Sequence, residues 1–240
     1  MSSTRFWLLT AALLVVTRDV SLLAHEWAHA TVAWTFGLVS SPFDVTYGDW
    51  FLFRVTDKGA LIYPGLFRTG QGHRAGFIAI AGPATNAVLA VLGLGVSRSR
   101  RVGRRPLLYF AIFWLTLNNL GQVFSYLPVR GFSSNGDIAI FDRAFGFPHI
   151  VLFIVVSVGV FGALAVLLLR DLPHCIATLH LARADSRWLL RLAAGQVFFW
   201  YGAAAADDYG PSDIRSISFP LSVSAGMAFI RWRVGAFRES

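Results

Sequence analysis

Two histidines and a glutamate stand close together in the stretch LLAHEWAHAT, residues 23–32. His25 and His29 are four residues apart, so on a helix they lie on one face, within about 40° of each other. Two imidazoles at this spacing can bind one zinc ion and leave a coordination position for water. Glu26, beside the first histidine, is placed to act as a general base toward that water. Since the chain contains only two glutamates, this pattern predicts metal-dependent chemistry.

The composition around this pattern is that of a membrane protein. Of the 240 residues, 55% are hydrophobic and 14% are charged, with a mean hydropathy of +0.58, whereas soluble domains carry about 25% charged residues. The net charge of +8 comes almost wholly from arginines. They lie mostly in short loops between apolar runs, so membrane topology explains them better than nucleic-acid binding does. The single cysteine, Cys175, excludes an internal disulfide.

Several apolar runs approach the roughly 20 residues that a membrane-spanning helix needs. We predict an all-α polytopic membrane protein with about six transmembrane helices, in a single membrane-embedded domain over residues 1–240. The first helix is expected to be retained, because no signal-peptide cleavage site follows it. The predicted spans are residues 6–37, 76–97, 107–127, 149–169, 188–206 and 217–236.

Residues 40–75 differ from these runs. They alternate aromatic or β-branched residues with polar ones and include the turn-forming Gly48 and Gly59, a pattern that suits short strands. The segment is predicted to be either a small β-hairpin at the membrane surface or an interfacial loop with aromatic anchors.

Arg18 and Asp19 interrupt the first apolar run. Arg18 precedes His25 by seven residues and therefore lies on the same face of the helix. Charges inside a membrane span are costly and usually face the interior of the bundle. We expect either an internal ion pair or an Arg18 side chain that extends to the membrane surface, and the alternative is that both charges line a water-filled cavity.

Three motifs, in chain order, resemble the site-2 protease class of intramembrane zinc metalloproteases. HEWAH lies in the first apolar run, and AGPATNAV (residues 81–88) resembles the G-P-x-x-N element of the next span. YLPVRGFSSNGDI (residues 126–138) resembles the region where the family carries N-x-x-P, followed by D-G and the third zinc ligand. This third motif departs from the pattern, because Ser125 replaces the asparagine and the order is N-G-D.

The resemblance implies that the third zinc ligand lies in the third motif. Zinc requires a histidine, cysteine or carboxylate in addition to the histidine pair, and we predict that Asp137 supplies it. An aspartate at this position could instead cap the helix that follows. Asn135 occupies the D-G position by strict alignment but is a neutral amide, and Asp142 has Arg143 beside it as an ion-pair partner.

Asn86 ends the G-P-x-x-N element. The resemblance implies that this residue binds the substrate or the reacting carbonyl, since a side-chain amide can donate to a developing oxyanion. The alternative is an interhelical hydrogen bond, which is common for asparagine in membranes.

These observations predict an intramembrane zinc metalloprotease of the cell membrane that hydrolyses peptide bonds with metal-activated water. The resemblance implies that its substrate is a transmembrane segment of another protein. Residues 1–145 form the predicted catalytic core, and residues 146–240 add further transmembrane helices. The expected partners are the lipid bilayer and a transmembrane protein substrate, with no nucleic acid. The alternatives are a non-proteolytic membrane protein with a structural or transport metal site, and a hydrolase of non-peptide substrates.

Two lines of inference disagree on orientation. The five arginines of residues 97–106 predict that this loop is cytoplasmic and that the zinc lies nearer the outer face. The family resemblance implies the reverse, and we adopt it as the expectation because orientation depends on the whole chain.

Overall fold

A long helix, α1 (Ser3–Thr35), carries the histidine pair. The computed structural model describes residues 2–47, 55–56, 59–129, 131, 136–202 and 224–231. Ser2 caps the start of α1 by accepting a hydrogen bond from the backbone N–H of Arg5. Beyond its end Gly37 adopts a φ of +72°, which closes the helix in a left-handed turn. At 1.5 Å per residue α1 is about 50 Å long, which exceeds the roughly 30 Å of a hydrocarbon core.

The segment after α1 contains both strand and helix. Strands β1 (Thr46–Tyr47) and β2 (Val55–Thr56) pair antiparallel, and a helix, α2 (Gly59–Arg68), follows them. The predicted hairpin turn lies in residues 48–54, outside the described residues, so the hairpin stays a prediction. Helix α2 was not predicted. It forms because Tyr63 and Leu66, three residues apart, are buried in one cluster with residues of α1 and of the helix after α2.

The rest of the described chain is helical. The helices are α3 (Gly72–Ser97), α4 (Arg100–Gly103), α5 (Pro106–Phe124), α6 (Asp137–Phe145), α7 (His149–Val166), α8 (Leu172–Thr178) and α9 (Arg183–Gly195). π-Helical turns extend α5 over Ser125–Val129, join α7 to α8 over Leu167–Asp171 and extend α9 over Gln196–Tyr201. Residues 224–231 are also helical.

Four described helices are long and apolar enough to cross a membrane: Ser3–Thr35, Gly72–Ser97, Pro106–Val129 and Ile150–Thr178. They coincide with the first four predicted spans, and the all-α class is confirmed at this level. The predicted span 188–206 is helical through residue 202, and both it and 217–236 continue into residues outside the described part. The count of six spans therefore stays a prediction.

Helix α3 lies at the centre of the site-bearing half, where it contacts α1, α5 and α6. Glycines allow these close approaches. A Cβ at Gly76 would lie 2.6 Å from the Cβ of Ala144 in α6, and a Cβ at Gly93 would overlap Thr116 in α5. Because these contacts leave no space for a side chain, α3 holds α5 and α6 at fixed positions around the C-terminal half of α1.

At the end of the bundle remote from the C-terminal half of α1, hydrogen bonds connect the ends of several helices. The Ser3 hydroxyl, at the start of α1, donates to Asp185 of α9 at 2.9 Å. The Tyr109 hydroxyl, near the start of α5, donates at 2.9 Å to the buried carboxylate of Asp171, between α7 and α8. The start of α1, the end of α3, the start of α5 and the α7–α9 junctions thus share one end.

Candidate metal centre

The two histidines of α1 point their Nε2 atoms toward each other inside the bundle. The Nε2 atoms of His25 and His29 are 3.0 Å apart. The two residues are only 1% and 2% exposed. The helical spacing of four residues places them on one face, as the sequence predicts, and packing of α1 against α3 and α5 removes that face from solvent.

Asp137 joins this pair from the first position of α6. Its Oδ2 atom lies 3.4 Å from the Nε2 atom of each histidine. The preceding Gly136 has a φ of +89°, a conformation that glycine adopts without strain, and it is the residue at the cap position of α6. Gly136, and not Asp137, thus caps α6, so the carboxylate of Asp137 can face the histidines. The predicted convergence of the three residues is confirmed.

The three atoms have the separations that a metal ion requires. A tetrahedral ion with bonds of about 2.0–2.1 Å holds its ligand atoms about 3.3 Å apart, and the observed separations are 3.0–3.4 Å. As an N–H···O hydrogen bond, 3.4 Å would be long. Among the described residues, His25, His29 and Asp137 form the group of histidine, cysteine or carboxylate side chains that could hold a metal ion.

The hydrogen bonds of the two Nδ1 atoms determine that the Nε2 atoms of His25 and His29 face Asp137. Nδ1 of His29 lies 2.7 Å from the backbone carbonyl of Ile78 in α3. A carbonyl only accepts, so this Nδ1 carries the hydrogen and Nε2 presents a lone pair. Nδ1 of His25 lies 2.6 Å from Oδ1 of Asn86, also in α3. Both histidines thus have the outer hydrogen-bond partner that orients a metal-binding imidazole.

A cation would stabilise the arrangement of His25, His29 and Asp137. Two imidazole lone pairs and a carboxylate oxygen converge on one point, and without a proton or a metal ion between them they would repel each other. Burial alone would raise the pKa of Asp137. A positive charge on the facing imidazoles outweighs burial and holds that pKa below its ordinary value. A metal ion at the same point would act in the same direction and would bind the ionised carboxylate.

Space for an ion comes from a glycine of α3. A Cβ added at Gly82 would lie 2.6 Å from Nε2 of His25 and closer still to Nε2 of His29. Any other residue at this position would thus place an atom between the two ligand nitrogens. The first residue of the G-P-x-x-N element, Gly82, therefore lies directly against the two histidines and leaves space for an ion between them.

Glu26 lies on α1 beside the first ligand. Its side chain is partly buried, and its carboxylate is not part of the three-residue group. The described residues thus supply three ligands, which leaves a position for water in the manner of a catalytic site. This placement is compatible with the predicted role of Glu26 as a base.

Asn86 lies behind His25 and is fully buried. The alternative prediction, an interhelical hydrogen bond, is confirmed, because the side chain of Asn86 bonds to α1 and to α5. Substrate contact by Asn86 stays a prediction. Asn135, the rival third ligand, lies outside the described residues.

Sequence reasoning did not identify three other residues near the centre. The ring of Tyr126 stacks on His25 with centroids 5.0 Å apart and an interplanar angle of 19°. Ser21 and Asn119 bond to Asn86. The available signal was the polar pair Asn118–Asn119 inside the apolar run 107–127, because asparagine within a membrane span usually has an interior partner.

The charged pair of the first span has a separate location. Arg18 and Asp19 form an ion pair at 2.9 Å, as predicted. The Arg18 guanidinium lies over the ring of Trp200, 5.6 Å from its centroid. The pair is thus part of the contact between α1 and the extension of α9.

Comparison with protein-family models, curated proteins and solved structures finds no match to this chain. The resemblance to the site-2 protease class therefore rests on the three sequence motifs.

Proposed function

We propose that the protein is a multi-pass metallohydrolase of the cell membrane and that it cleaves peptide bonds as an intramembrane zinc protease of the site-2 protease class. The observation that carries the proposal is the convergence of His25, His29 and Asp137, at 3.0–3.4 Å, inside a bundle of apolar helices. Zinc suits this donor set, because it binds imidazole nitrogen and carboxylate oxygen.

The chain's own residues divide the chemical work. A zinc ion held by His25, His29 and Asp137 would lower the pKa of a water molecule to near 7. Glu26 would act as the general base toward that water and then as the general acid toward the leaving amine nitrogen. The carbonyl of Ile78 and the amide of Asn86 hold the two imidazoles in the orientation in which both Nε2 atoms face Asp137 and could bind a metal ion.

The proposed substrate is a transmembrane segment of another protein, partly unwound before cleavage. A helical substrate hides its peptide bonds, so the segment must be extended where it is cut. The β1–β2 pair lies next in the chain after α1, and an extended substrate could add to an edge of this pair as a further strand.

A metal site with a structural or transport role is the second candidate. The near-complete burial of both imidazoles favours it, because structural zinc sites are closed to solvent. Such sites usually have four protein ligands, however, and the described residues bring three together. We therefore favour hydrolysis.

Glu26→Gln separates the two candidates. This change keeps the size and polarity of the side chain and removes the base, while the three ligands stay in place. We expect zinc content like that of the wild type and a loss of about a hundredfold to ten-thousandfold in cleavage rate. The measurement is cleavage of a co-expressed single-span membrane protein, with zinc content determined on the same purified samples.

The double variant His25→Ala/His29→Ala is the control, since it should lose both zinc and cleavage. Undiminished cleavage by Glu26→Gln with retained zinc would contradict the role of Glu26. No cleavage by the wild type, together with one bound zinc per chain, would favour the structural or transport role.

A further inference from the structure

Asn86 is linked to a second buried asparagine and to a serine. Its Nδ2 atom donates to Oδ1 of Asn119 at 2.8 Å and to the backbone carbonyl of Ser21 at 3.1 Å. Nδ2 of Asn119 donates to Oγ of Ser21 at 2.9 Å and to the carbonyl of Leu115 at 2.8 Å. The side chains of Asn86, Asn119 and Ser21, here called the asparagine relay, are fully buried.

Backbone carbonyls fix the direction of every hydrogen bond in the relay. The carbonyl of Leu115 only accepts, so the NH2 group of Asn119 faces it and Oδ1 of Asn119 faces Asn86. The carbonyl of Ser21 also only accepts, so the NH2 group of Asn86 faces it and Oδ1 of Asn86 faces His25. Nδ1 of His25 must then donate, which leaves the lone pair of Nε2 toward the metal group.

We infer that the asparagine relay positions His25 for metal binding, by selecting its tautomer and holding the orientation of its ring. The inference rests on the proposed function, because it presupposes a metal ion at this centre. It gives Asn86 a role behind the ligand, and it assigns Ser21 and Asn119, which lie outside the three motifs, to the same site. His29 is independent of the relay, because Ile78 orients it directly.

The neighbouring residue Asn118 provides a matched control. It is the same residue type on the same helix and is equally buried. Its Nδ2 atom donates to Oγ1 of Thr17 at 2.8 Å, and its Oδ1 atom accepts from Gln196 and Tyr201 at 3.0 Å each. These bonds connect α5 to α1 and to the extension of α9, whereas those of Asn119 lead to His25.

The test compares zinc affinity among four forms of the full chain, purified in detergent, by competition with a chromogenic chelator. The forms are wild type, Asn119→Leu, Asn118→Leu and His25→Ala/His29→Ala. We expect Asn119→Leu to weaken zinc binding about 10- to 100-fold, as loss of an outer hydrogen-bond partner does. Asn118→Leu should bind zinc close to the wild type, although thermal unfolding of the zinc-free proteins should show similar destabilisation for both.

Each other outcome is decisive. Equal losses of zinc affinity in Asn119→Leu and Asn118→Leu would mean a packing defect and would overturn the inference. Wild-type affinity in Asn119→Leu would overturn it as well, while leaving the proposed function intact if the double histidine variant loses zinc. Zinc retained by the double variant would overturn the metal centre itself.

A second pair of variants keeps the inference testable if Asn119→Leu does not fold. Asn86→Asp and Asn86→Leu both remove the NH2 donor of the side chain, but only aspartate retains an acceptor for Nδ1 of His25. Positioning predicts zinc affinity for Asn86→Asp well above that of Asn86→Leu. Equal losses in the two variants would show that Asn86 contributes by packing alone.

Discussion

Gly82 is the residue on which room for an ion depends most directly. Helix propensity alone would favour alanine there by up to about 1 kcal/mol. The two histidines disfavour alanine at this position, because the added Cβ would enter the space beside their Nε2 atoms. The glycine at this point of α3 is therefore explained by the two imidazoles packed against it and not by helix propensity.

Gly82→Ala is expected to abolish zinc binding, since the methyl group would occupy the position of the ion. Gly95→Ala is the control on the same helix, because a Cβ there meets no atom within 4 Å, and it should leave zinc content unchanged. Metal analysis of the purified proteins gives the result. One zinc per chain in Gly82→Ala would show that the ion does not lie between the imidazoles.

The third ligand can be tested against its rival in the same loop. Asp137→Ala should weaken zinc binding by more than about a hundredfold, since loss of a ligand exceeds loss of an outer partner. Asn135→Ala should keep most of the zinc. Chelator competition measures both, and the opposite ranking would mean that the third motif has to be aligned by its D-G position.

At the residue scale, the sequence predicts what depends on local spacing. His25 and His29 follow from helix geometry, and Asp137 follows from the order of the motifs and the ligand chemistry of zinc. The contribution of Asn119 and the space beside Gly82 depend on which faces of α3 and α5 meet α1. Such tertiary contacts leave no periodic trace in a single sequence, so these residues emerge only from the structure.

Among the elements, α3 determines where α6 can lie. Asp137 is the first residue of α6, and α6 contacts α3 at Gly76, where a Cβ would lie 2.6 Å from Ala144 and would overlap Phe145. The position of the third ligand thus depends on a glycine that is not itself part of the metal centre.

Gly76→Ala is expected to destabilise the protein by about 1–3 kcal/mol through overpacking and to weaken zinc binding by displacing α6. Thermal unfolding and chelator competition measure the two effects. Gly162→Ala in α7, where a Cβ meets no atom within 4 Å, should show neither. Normal zinc affinity in a destabilised Gly76→Ala would separate the packing of α6 from the position of Asp137.

Sequence periodicity predicts the long helices correctly but does not predict the short helix α2. Long apolar runs predict well the four described helices that are long and apolar enough to cross a membrane, because burial in lipid or protein selects apolar residues over the whole length. Residues 59–68 instead lie within the alternating segment 40–75, and only burial of Tyr63 and Leu66 in the same cluster as Ile78 of α3 reveals α2 as a helix. Short elements are decided by such contacts rather than by their own pattern.

At the scale of the whole molecule, most of the exposed arginines among the described residues lie at one end of the bundle. The end formed by the start of α1, the α3–α5 connection and the α7–α9 junctions carries exposed arginines: Arg5, Arg98, Arg100, Arg101, Arg104, Arg105, Arg170 and Arg183. The metal centre lies toward the other end, in the C-terminal half of α1. The charge distribution therefore predicts that the end remote from the metal is cytoplasmic, whereas the family resemblance implies the reverse.

Reporter fusions at residue 102 and within residues 40–75 should report opposite sides of the membrane, because α3, which lies between them, is long and apolar enough to cross it. Reporters on the same side would contradict that span. A cytoplasmic signal at residue 102 would establish the orientation that the arginines predict. A cytoplasmic signal within residues 40–75 would establish the orientation that the resemblance implies.

Two of the three ligands belong to α1, whereas the third arrives on α6, more than a hundred residues later in the chain. An ion held by all three would be a reversible cross-link that closes this long loop, and such a link removes conformational freedom from the unfolded chain. Helices α2, α3 and α5 lie within the loop. The concentration of free metal would then affect both the activity of the site and the stability of the fold. A low concentration would destabilise the native protein as well as inactivate it.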